Sequence, residues 1–184
     1  MKGLKRLLSY ARRACDDYHM IEDGDKIAVG VSAGKDSLSL LWVMAELRRF
    51  YPKKFELIAI TVDMRFGDLD AGGEPMDFSP IAALCEKLGV TYHVEPSNIA
   101  KIVFDVRKES NPCSLCAKLR RGMLNDTAKK LSCNKVALGH HFDDAVETFM
   151  LNLFYEGRLG CFSPVTYLDR TDITVIRPFV YVPE

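Results

Sequence analysis

The residues with the clearest chemical potential form a short turn between an apolar run and a helical stretch. Residues 26–31 are apolar and rich in β-branched side chains, and they are followed by Ser32, Ala33, Gly34, Lys35, Asp36 and Ser37. Backbone N–H groups at a helix N-terminus, next to small residues that allow close approach, form a binding site for anions. Lys35 adds a positive charge, and Ser32 and Ser37 add hydroxyl donors. The turn therefore predicts a phosphate-binding loop.

The spacing of this turn differs from that of the common P-loop, which has four residues between its glycines and Ser or Thr directly after Lys. Here three residues separate Gly30 from Gly34, and Asp36 follows Lys35. A carboxylate repels phosphate unless a cation lies between them, so Asp36 indicates Mg²⁺ that bridges carboxylate and phosphate oxygens. Asp and Ser are also common at helix N-termini without any ligand. From the turn alone the two interpretations are balanced.

A second chemical feature is a pair of cysteines at the predicted start of another helix. Cys113 and Cys116 are three residues apart, and the helix dipole and the nearby Arg120 and Arg121 bias such thiols toward thiolate. The pattern alone fits half of a structural zinc site, a redox dithiol or inert thiols. Without a secretory signal, the six cysteines of the chain are expected to be reduced.

The elements that must position these residues alternate along the chain. Helices are predicted over residues 2–18, 36–50, 79–88, 114–131 and 143–155, and strands over 26–31, 56–62, 90–94, 135–138 and 175–176. This alternation predicts an α/β fold, with a doubly wound, mainly parallel five-stranded sheet and helices on both faces. Ligands bind beyond the carboxyl ends of such strands. The turn at 32–37, Asp63 and residues 139–144 are therefore expected to meet there.

The charges are unevenly distributed, although 25 Lys and Arg balance 25 Asp and Glu among 184 residues. Residues 101–135 carry a net charge of +6, residues 63–95 carry −5, and the first twenty residues add five basic groups. Two basic segments on one face could bind a phosphate backbone, although from charge alone solvated helix faces are the favoured interpretation. No apolar run reaches the roughly 20 residues of a membrane span. A cytoplasmic protein that does not bind membranes is expected.

The loop Ser-Ala-Gly-Lys-Asp-Ser resembles the SGG-x-DS loop of the PP-loop, or N-type, ATP pyrophosphatases. Within that superfamily, three further motifs are similar to the tRNA 2-thiocytidine synthetase type. They are Pro-Cys-Ser-Leu-Cys-Ala-Lys-Leu-Arg-Arg-Gly at 112–122, Gly-His-His-Phe-Asp-Asp at 139–144 and Ile-Arg-Pro-Phe-Val-Tyr at 176–181. The resemblance runs from about the first helix to the last residue. It implies one PP-loop ATP-binding domain over residues 1–184, of adenine nucleotide alpha hydrolase-like fold.

The resemblance also implies an activity and a set of ATP-binding residues. These enzymes split ATP between the α- and β-phosphates while a tRNA base carbonyl oxygen attacks the α-phosphate, and a sulfur donor then displaces AMP. The β- and γ-phosphates would be held by Ser32, Ala33, Gly34, Lys35, Asp36 and Ser37. The adenine would be walled by Thr61, Val62 and Asp63. The α-phosphate would lie near Arg120, Gly139, Asp143 and Asp144.

Two cofactors besides ATP follow from the same resemblance. Asp36 and Asp144 would place Mg²⁺, which together with Lys35 stabilises the leaving pyrophosphate. Cys113 and Cys116 would be two of the three thiolate ligands of a four-iron–four-sulfur (4Fe-4S) cluster, whose open iron carries sulfide. Lys35, Asp36, Cys113 and Cys116 are therefore the expected catalytic residues.

The implied partners are tRNA and a sulfur donor, either a protein or sulfide, and a homodimer is a further arrangement to be tested. One alternative is a PP-loop adenylating ligase with another substrate, similar to lysidine synthetase. The cysteine pair argues against it, because such a ligase needs no cluster. The other alternative is a non-catalytic module that binds nucleotide or RNA.

Two departures from the family pattern are expected to matter. Ala33 stands where the family usually has Gly, so pyrophosphate must pass a methyl group, which is tolerable if the φ angle of Ala33 is negative. The sequence ends at Glu184, before the family's second cysteine pair with the third cluster ligand. Cys161 matches no family position, although it could substitute. The expectation is a domain that lacks the family's C-terminal segment.

Overall fold

The computed structural model describes residues 2–65, 76–107 and 112–183. Five α-helices lie within these ranges: α1 (Lys2–Asp17), α2 (Lys35–Phe50), α3 (Ser79–Leu88), α4 (Pro112–Lys130) and α5 (Phe142–Leu151). The strands of the same ranges are β1 (Asp25–Gly30), β2 (Phe55–Asp63), β3 (Thr91–Pro96), β4 (Lys135–Ala137), β5 (Val165–Leu168) and β6 (Ile173–Ile176). Two π-helical segments follow β3 and α5, at Lys101–Arg107 and Asn152–Glu156. Among the described helices, none combines the length and apolarity that crossing a membrane requires.

The six strands form one sheet in the order β3-β2-β1-β4-β6-β5. Every neighbouring pair is parallel except β5 and β6, which confirms the predicted mainly parallel α/β sheet. The predicted number of five strands is wrong, because β5 was missed. Its four residues form an antiparallel edge strand that is only partly buried, so its sequence carries neither a long apolar run nor strict alternation. The predicted helix at 143–155 is also interrupted, since α5 ends at Leu151 and continues as the second π-helix.

Helices cover both faces of the sheet because alternate side chains of the central strands point in opposite directions. Ile27 and Val29 of β1 belong to one core with α1, α2 and α3. Ala28, between them, belongs to a second core that includes Leu124 and Ala128 of α4. This three-layer arrangement was predicted, and it fixes the carboxyl ends of the parallel strands at one edge.

A buried ion pair joins the opposite, N-terminal ends of β1 and β4. Asp25 Oδ2 lies 2.7 Å from Lys135 Nζ, and both residues are buried. The Asp25 carboxylate also accepts hydrogen bonds from the Glu22 backbone N–H at 2.6 Å and from Asn134 Nδ2 at 2.7 Å. Lys135 Nζ donates to the Met20 carbonyl oxygen at 3.0 Å. The pair is therefore supported by a hydrogen-bond network that ties two central strands together.

Asp25→Ala is expected to lower the free energy of unfolding by about 3–5 kcal/mol, because it leaves the buried Lys135 ammonium without its counter-charge. Urea unfolding measures the loss. Lys53→Ala, which breaks an exposed ion pair with Glu22, is the matched control and should leave the midpoint nearly unchanged. Equal midpoints for Asp25→Ala and the wild type would show that the pair does not stabilise the sheet.

Candidate functional site

A cavity of about 1060 Å³ opens at the carboxyl ends of β1, β2 and β4. From β1 the strand order runs through β2 to β3 at one edge of the sheet, whereas β4, β6 and β5 lie on the other side of β1. The cavity therefore lies where the strand order reverses, which is where a crevice forms in such sheets. The predicted ATP-binding residues that line the cavity are Ser32, Asp36, Ser37, Thr61, Val62, Asp63, Arg120, Gly139 and Asp144. The others are outside its lining: Ala33, Gly34 and Lys35 lie between Ser32 and Asp36 in sequence, and Asp143 directly precedes Asp144.

The turn between β1 and α2 is held together by the hydroxyl of Ser37. The buried Ser37 Oγ accepts hydrogen bonds from the Ser32 backbone N–H at 3.0 Å and from Ser32 Oγ at 3.3 Å. It donates to the Gly34 carbonyl oxygen at 3.0 Å. Gly34 is the N-cap of α2, and it has no side chain that could cap the helix. The turn is thus fixed by its own side chains, and the positive end of α2 faces the cavity.

Ala33 has a positive φ of 62°, so the condition under which its methyl group was expected to be tolerable is not met. The turn must reverse the chain between the end of β1 and the start of α2, and this places Ala33 in the left-handed region. That region costs an L-residue roughly 1–2 kcal/mol because Cβ approaches the following carbonyl oxygen. Ala33 is therefore a strained position at which Gly would be relaxed.

Ala33→Gly is expected to raise the free energy of unfolding by up to about 1 kcal/mol. The relief of the left-handed strain, about 1–2 kcal/mol, exceeds the roughly 0.4–1 kcal/mol that Gly adds to unfolded-chain entropy. Thermal unfolding of both proteins measures the difference. The control Ala82→Gly, within α3, should instead destabilise by about 1 kcal/mol. A similar loss for both variants would contradict the strain at Ala33.

The end of β2 forms one wall of the cavity. β1 pairs with β2 only as far as Gly30 opposite Ile60, so residues 61–63 extend beyond β1. The Thr61 hydroxyl donates to the Val31 carbonyl oxygen at 3.0 Å and accepts from the Tyr92 hydroxyl at 2.9 Å. The Thr61 hydroxyl is occupied by these two contacts. The segment therefore contacts a ligand through its backbone edge and the side chain of Val62.

The segment after β4 contacts the turn directly at Gly139. A Cβ atom on Gly139 would lie 3.2 Å from the Asp36 carbonyl carbon and 3.4 Å from the Ser37 nitrogen. At the start of α5, Asp144 Oδ2 accepts a hydrogen bond from the His141 backbone N–H at 2.7 Å. Close packing at Gly139 thus brings Asp36 and Asp144, each in the first turn of a helix, to the same cavity. Carboxylates at such positions are suitable ligands for Mg²⁺.

The two adjacent histidines have different environments. His141 is buried at the N-cap of α5, whereas His140 lines the cavity and packs against the Phe162 ring at 5.3 Å between centroids. Burial, reinforced by the positive charge of Arg177, lowers the pKa of His140 below its usual value of 6.5. His140 therefore enters the site as a neutral ring at pH 7.

Several cavity-lining residues were not identified as site residues from the sequence. They include Met64, Arg65, Met76, Phe78, Arg121, Leu124, Leu138 and His140. Arg121 and His140 belong to the motifs at 112–122 and 139–144, so their place in these motifs could have identified them as site residues. The apolar residues had no such signal, because an apolar side chain in a wall has the same sequence pattern as one in the core.

The cysteine pair lies beside the cavity, in the first turns of α4. Cys113 is exposed and Cys116 is partly buried, and their i, i+3 spacing places both thiols on one side of the helix. Cys116 Sγ lies 3.4 Å from Met64 Sδ, and Met64 lines the cavity. All six cysteines of the chain are free. The two thiols are therefore available to bind a ligand, and Met64 lies between Cys116 and the cavity.

These thiols fit two ligands of an iron–sulfur cluster, which cysteine thiolates hold. A third ligand is not brought to them within the described ranges, where the structure shows no group of three His, Cys, Asp or Glu side chains that could hold a metal ion. The exposed Cys161 therefore does not complete the set there. Cysteine thiolates are suitable ligands for a cluster, and the described residues bring two of them together.

Comparison with known proteins agrees with this geometry. Residues 7–184 match the family model of the PP-loop domain. The chain is 43% identical over 181 residues to the tRNA-cytidine(32) 2-sulfurtransferase of Geobacter sulfurreducens, covering 98% of this chain and 68% of that protein. It is 42% identical over 184 residues to the enzyme of the same name from Geobacter metallireducens, covering 100% of this chain and 69% of that protein.

A solved structure is similar over the same range. The U34-tRNA thiolase NcsA from Methanococcus maripaludis, with its [4Fe-4S] cluster, superposes with a TM-score of 0.73 at 25% sequence identity. The match covers 98% of this chain and 59% of the thiolase. The chain thus spans about two-thirds of the curated relatives and less of the thiolase. By its sequence and its fold, the chain belongs to the PP-loop domain family and, within it, to the family of the tRNA-cytidine(32) 2-sulfurtransferases.

Proposed function

We propose that the chain activates a tRNA base with ATP and supports its thiolation, releasing AMP and pyrophosphate. The observation that carries this proposal is the single cavity lined by nine predicted ATP-binding residues, with a cysteine pair beside it. The relatives named as tRNA-cytidine 2-sulfurtransferases support cytidine as the base and its C2 carbonyl oxygen as the activated atom.

The phosphates of ATP would bind at the start of α2. The backbone N–H groups at the start of the helix would face a β- or γ-phosphate there, beside Ser32, which lines the cavity, and Lys35 is the first residue of the helix. Ser37 holds the turn in shape through its three hydrogen bonds. Asp36 and Asp144 would hold Mg²⁺, which when bound neutralises phosphate charge. The adenine would lie against residues 61–63.

The chemical step follows from this placement. The base carbonyl oxygen forms a bond to the α-phosphorus, and the bond from that phosphorus to the oxygen bridging to the β-phosphate breaks. Pyrophosphate leaves with the electron pair, and the base carries AMP. Lys35 and the N–H groups of α2 stabilise the charge that develops on pyrophosphate, which is the largest contribution in many such transfers. Arg120, exposed on α4 at the cavity, would face the α-phosphate.

Sulfur transfer would take place at the cysteine side of the cavity. Cys113 and Cys116 would hold two irons of a 4Fe-4S cluster, which when bound supplies an iron site that carries sulfur. Met64 lies between Cys116 and the cavity, so the thiols are close to the place where an activated base would lie. Sulfide, either free or supplied by a protein, is the proposed donor: it forms a bond to the activated base carbon, and AMP leaves with the former carbonyl oxygen.

The tRNA would dock across the start of α4. Lys118, Arg120 and Arg121 are exposed on this helix, and two of them line the cavity. Exposed basic groups near a site contribute a salt-dependent attraction for the RNA backbone. A tRNA substrate makes the cytoplasm the proposed compartment, and residues 1–184 the proposed nucleotide-binding domain.

Exchange of radiolabelled pyrophosphate into ATP tests this proposal. With tRNA, Mg²⁺ and no sulfur donor, reversal of the adenylation step should move label into ATP, and omission of tRNA should abolish the exchange. The absence of exchange while tRNA remains bound would contradict the enzyme and support a non-catalytic module. Release of AMP on addition of lysine, with a bond formed between the lysine amine and the tRNA base, would support the ligase alternative.

A further inference from the structure

The His140 ring forms part of the cavity wall on the β4 side, and two other side chains stack in a row with it. The Phe162 ring lies 5.3 Å from the His140 ring between centroids and is tilted by 49°. The guanidinium carbon of Arg177 lies 4.9 Å from the centroid of the same Phe162 ring. Arg177 follows β6, which pairs with β4, so His140 and Arg177 follow the ends of adjacent strands. Of these three residues, His140 is the one that lines the cavity.

The guanidinium of Arg177 is held in place by hydrogen bonds of its own. Its Nη1 donates to the Ser163 carbonyl oxygen at 2.6 Å and to Thr166 Oγ1 at 3.2 Å. These bonds keep the guanidinium beside Phe162. The His140 ring is therefore packed against a partner that is itself fixed, and a positive charge stays close to it.

The buried nitrogen of His140 determines which atom of the ring can bind a ligand. Nδ1 is buried and has no hydrogen-bond partner within the described part of the chain, which leaves Nε2 as the polar atom for the cavity. A neutral imidazole carries one proton, on either nitrogen. Buried N–H groups are rarely left without an acceptor, and the charge of Arg177 disfavours a proton nearby. The proton is therefore assigned to Nε2, so that His140 presents an N–H donor to the cavity.

The charges around His140 keep this donor neutral. Burial is the main reason why the pKa of His140 lies below its usual value, and Arg177, Arg121 and His141 lower it further, whereas Asp144 acts in the opposite direction. Phosphate forms its strongest hydrogen bonds with charged donors. An unpaired nucleobase is recognised by hydrogen bonds to its ring edge, for which a neutral donor is suitable. The character of His140 thus favours a base over an anion.

His140 lies on the other side of the phosphate-binding turn from the proposed adenine position. β1, which precedes the turn, lies between β2 and β4 in the sheet. The adenine is proposed at residues 61–63, at the end of β2, whereas His140 follows β4. A base that attacks the α-phosphate must approach from a side that the nucleotide leaves open. The attacking base therefore fits on the β4 side of the cavity, against His140.

We propose that Nε2–H of His140 donates a hydrogen bond to N3 of the target cytosine and so directs the adjacent C2 carbonyl oxygen toward the α-phosphate. Cytosine N3 is an acceptor, whereas uracil N3 carries a hydrogen, so the contact selects cytosine over uracil. The base gains positive charge as its oxygen bonds to phosphorus, and a neutral donor holds it without the repulsion that Lys or Arg would add. The inference rests on the proposed function and names the residue that recognises its base.

Pyrophosphate exchange and ATP binding, measured on the same variants, test this role. His140→Ala should lower tRNA-dependent exchange by about 10- to 100-fold, as expected for a polar partner left unpaired. Its affinity for ATP without tRNA, from isothermal titration, should equal that of the wild type. His140→Gln keeps an N–H donor at a similar distance from the backbone and should recover part of the exchange. The control His93→Ala changes a histidine that pairs with Glu95 outside the cavity lining and should behave as the wild type.

Two results of these measurements would overturn the proposal. One is an exchange rate in His140→Ala equal to that of the wild type. The other is an ATP affinity that falls together with the exchange, because His140 would then contact the nucleotide instead of the base.

Nitrogen-15 NMR of the histidine side chains tests the contact without catalysis. The chain has four histidines, so the His140 signals are assigned by their loss in His140→Gln. At pH 7 the free protein should show a neutral His140 ring with its proton on Nε2. An RNA stem–loop with an unpaired cytidine in its loop should shift the Nε2 signal, and the same stem–loop with uridine should leave it in place.

An Nε2 signal that does not respond to the cytidine stem–loop, or that responds equally to both, would overturn the inference. The NMR result also separates this inference from the proposed reaction. A cytidine-specific shift in a wild type that shows no pyrophosphate exchange would contradict the reaction and still support the contact.

Discussion

Asp36→Asn is expected to weaken Mg·ATP binding by about 10- to 100-fold, a typical range when a metal site loses a supporting group. The amide keeps the shape of the side chain but removes the negative charge that is proposed to hold Mg²⁺ against the phosphates. Asp36 is partly buried at the cavity, in the first turn of α2, where the phosphates are proposed to bind. Isothermal titration with ATP, in the presence of Mg²⁺ and in EDTA, measures the effect.

The dependence on Mg²⁺ separates this role from a general loss of structure. The wild type should bind ATP more tightly with Mg²⁺ than in EDTA, and Asp36→Asn should lose most of that difference. Asp126→Asn, an exposed Asp on α4 paired with Arg170, is the matched control and should behave as the wild type. A Mg²⁺ dependence that survives in Asp36→Asn would remove this residue from the metal site.

Cys113→Ser is expected to abolish most of the iron that the protein takes up on anaerobic reconstitution with iron and sulfide. Serine replaces a thiolate ligand with a poor iron ligand, and only Cys116 of the pair remains. Iron and acid-labile sulfide content and the visible absorption spectrum measure the change. ATP binding should remain unchanged, because Cys113 does not line the cavity.

Cys161→Ser provides the matched control for this substitution. Cys161 is also exposed, but within the described part of the chain it does not join the cysteine pair in a metal-binding group. Its replacement should leave the iron content of the wild type. If Cys113→Ser and Cys161→Ser hold the same iron as the wild type and show the same spectrum, the cluster assignment is wrong.

The arrangement of the site was predictable because parallel strands end at one edge. Three segments of polar residues each follow a predicted strand, and the topology brought Ser32, Asp63 and Gly139 to one cavity. The number of strands was not predictable to the same degree. β5 takes its conformation from its antiparallel pairing with β6 rather than from its own four residues.

Backbone angles and contacts between residues distant in sequence were the least predictable features. The positive φ of Ala33 follows from the geometry of the turn, and a sequence with Ala at that position gives no sign of it. The contact of Met64 with Cys116 joins two residues that are distant in sequence, and neither motif contains Met64. The helical spacing at 143–155 predicted α5 correctly as far as Leu151 but not the π-helix that follows, and no residue of either element is buried.

The most direct test of base activation is to follow the oxygen that leaves the tRNA. A tRNA substrate transcribed with cytidine labelled at its C2 carbonyl with oxygen-18 is incubated with the protein, ATP, Mg²⁺ and a sulfide source under anaerobic conditions. Mass spectrometry of the released AMP then reports the origin of its new phosphate oxygen. Attack by the base carbonyl predicts heavy AMP in equal amount to thiolated cytidine. AMP that carries only solvent oxygen would show that water, and not the base, attacks the α-phosphate, and would contradict the proposed activation.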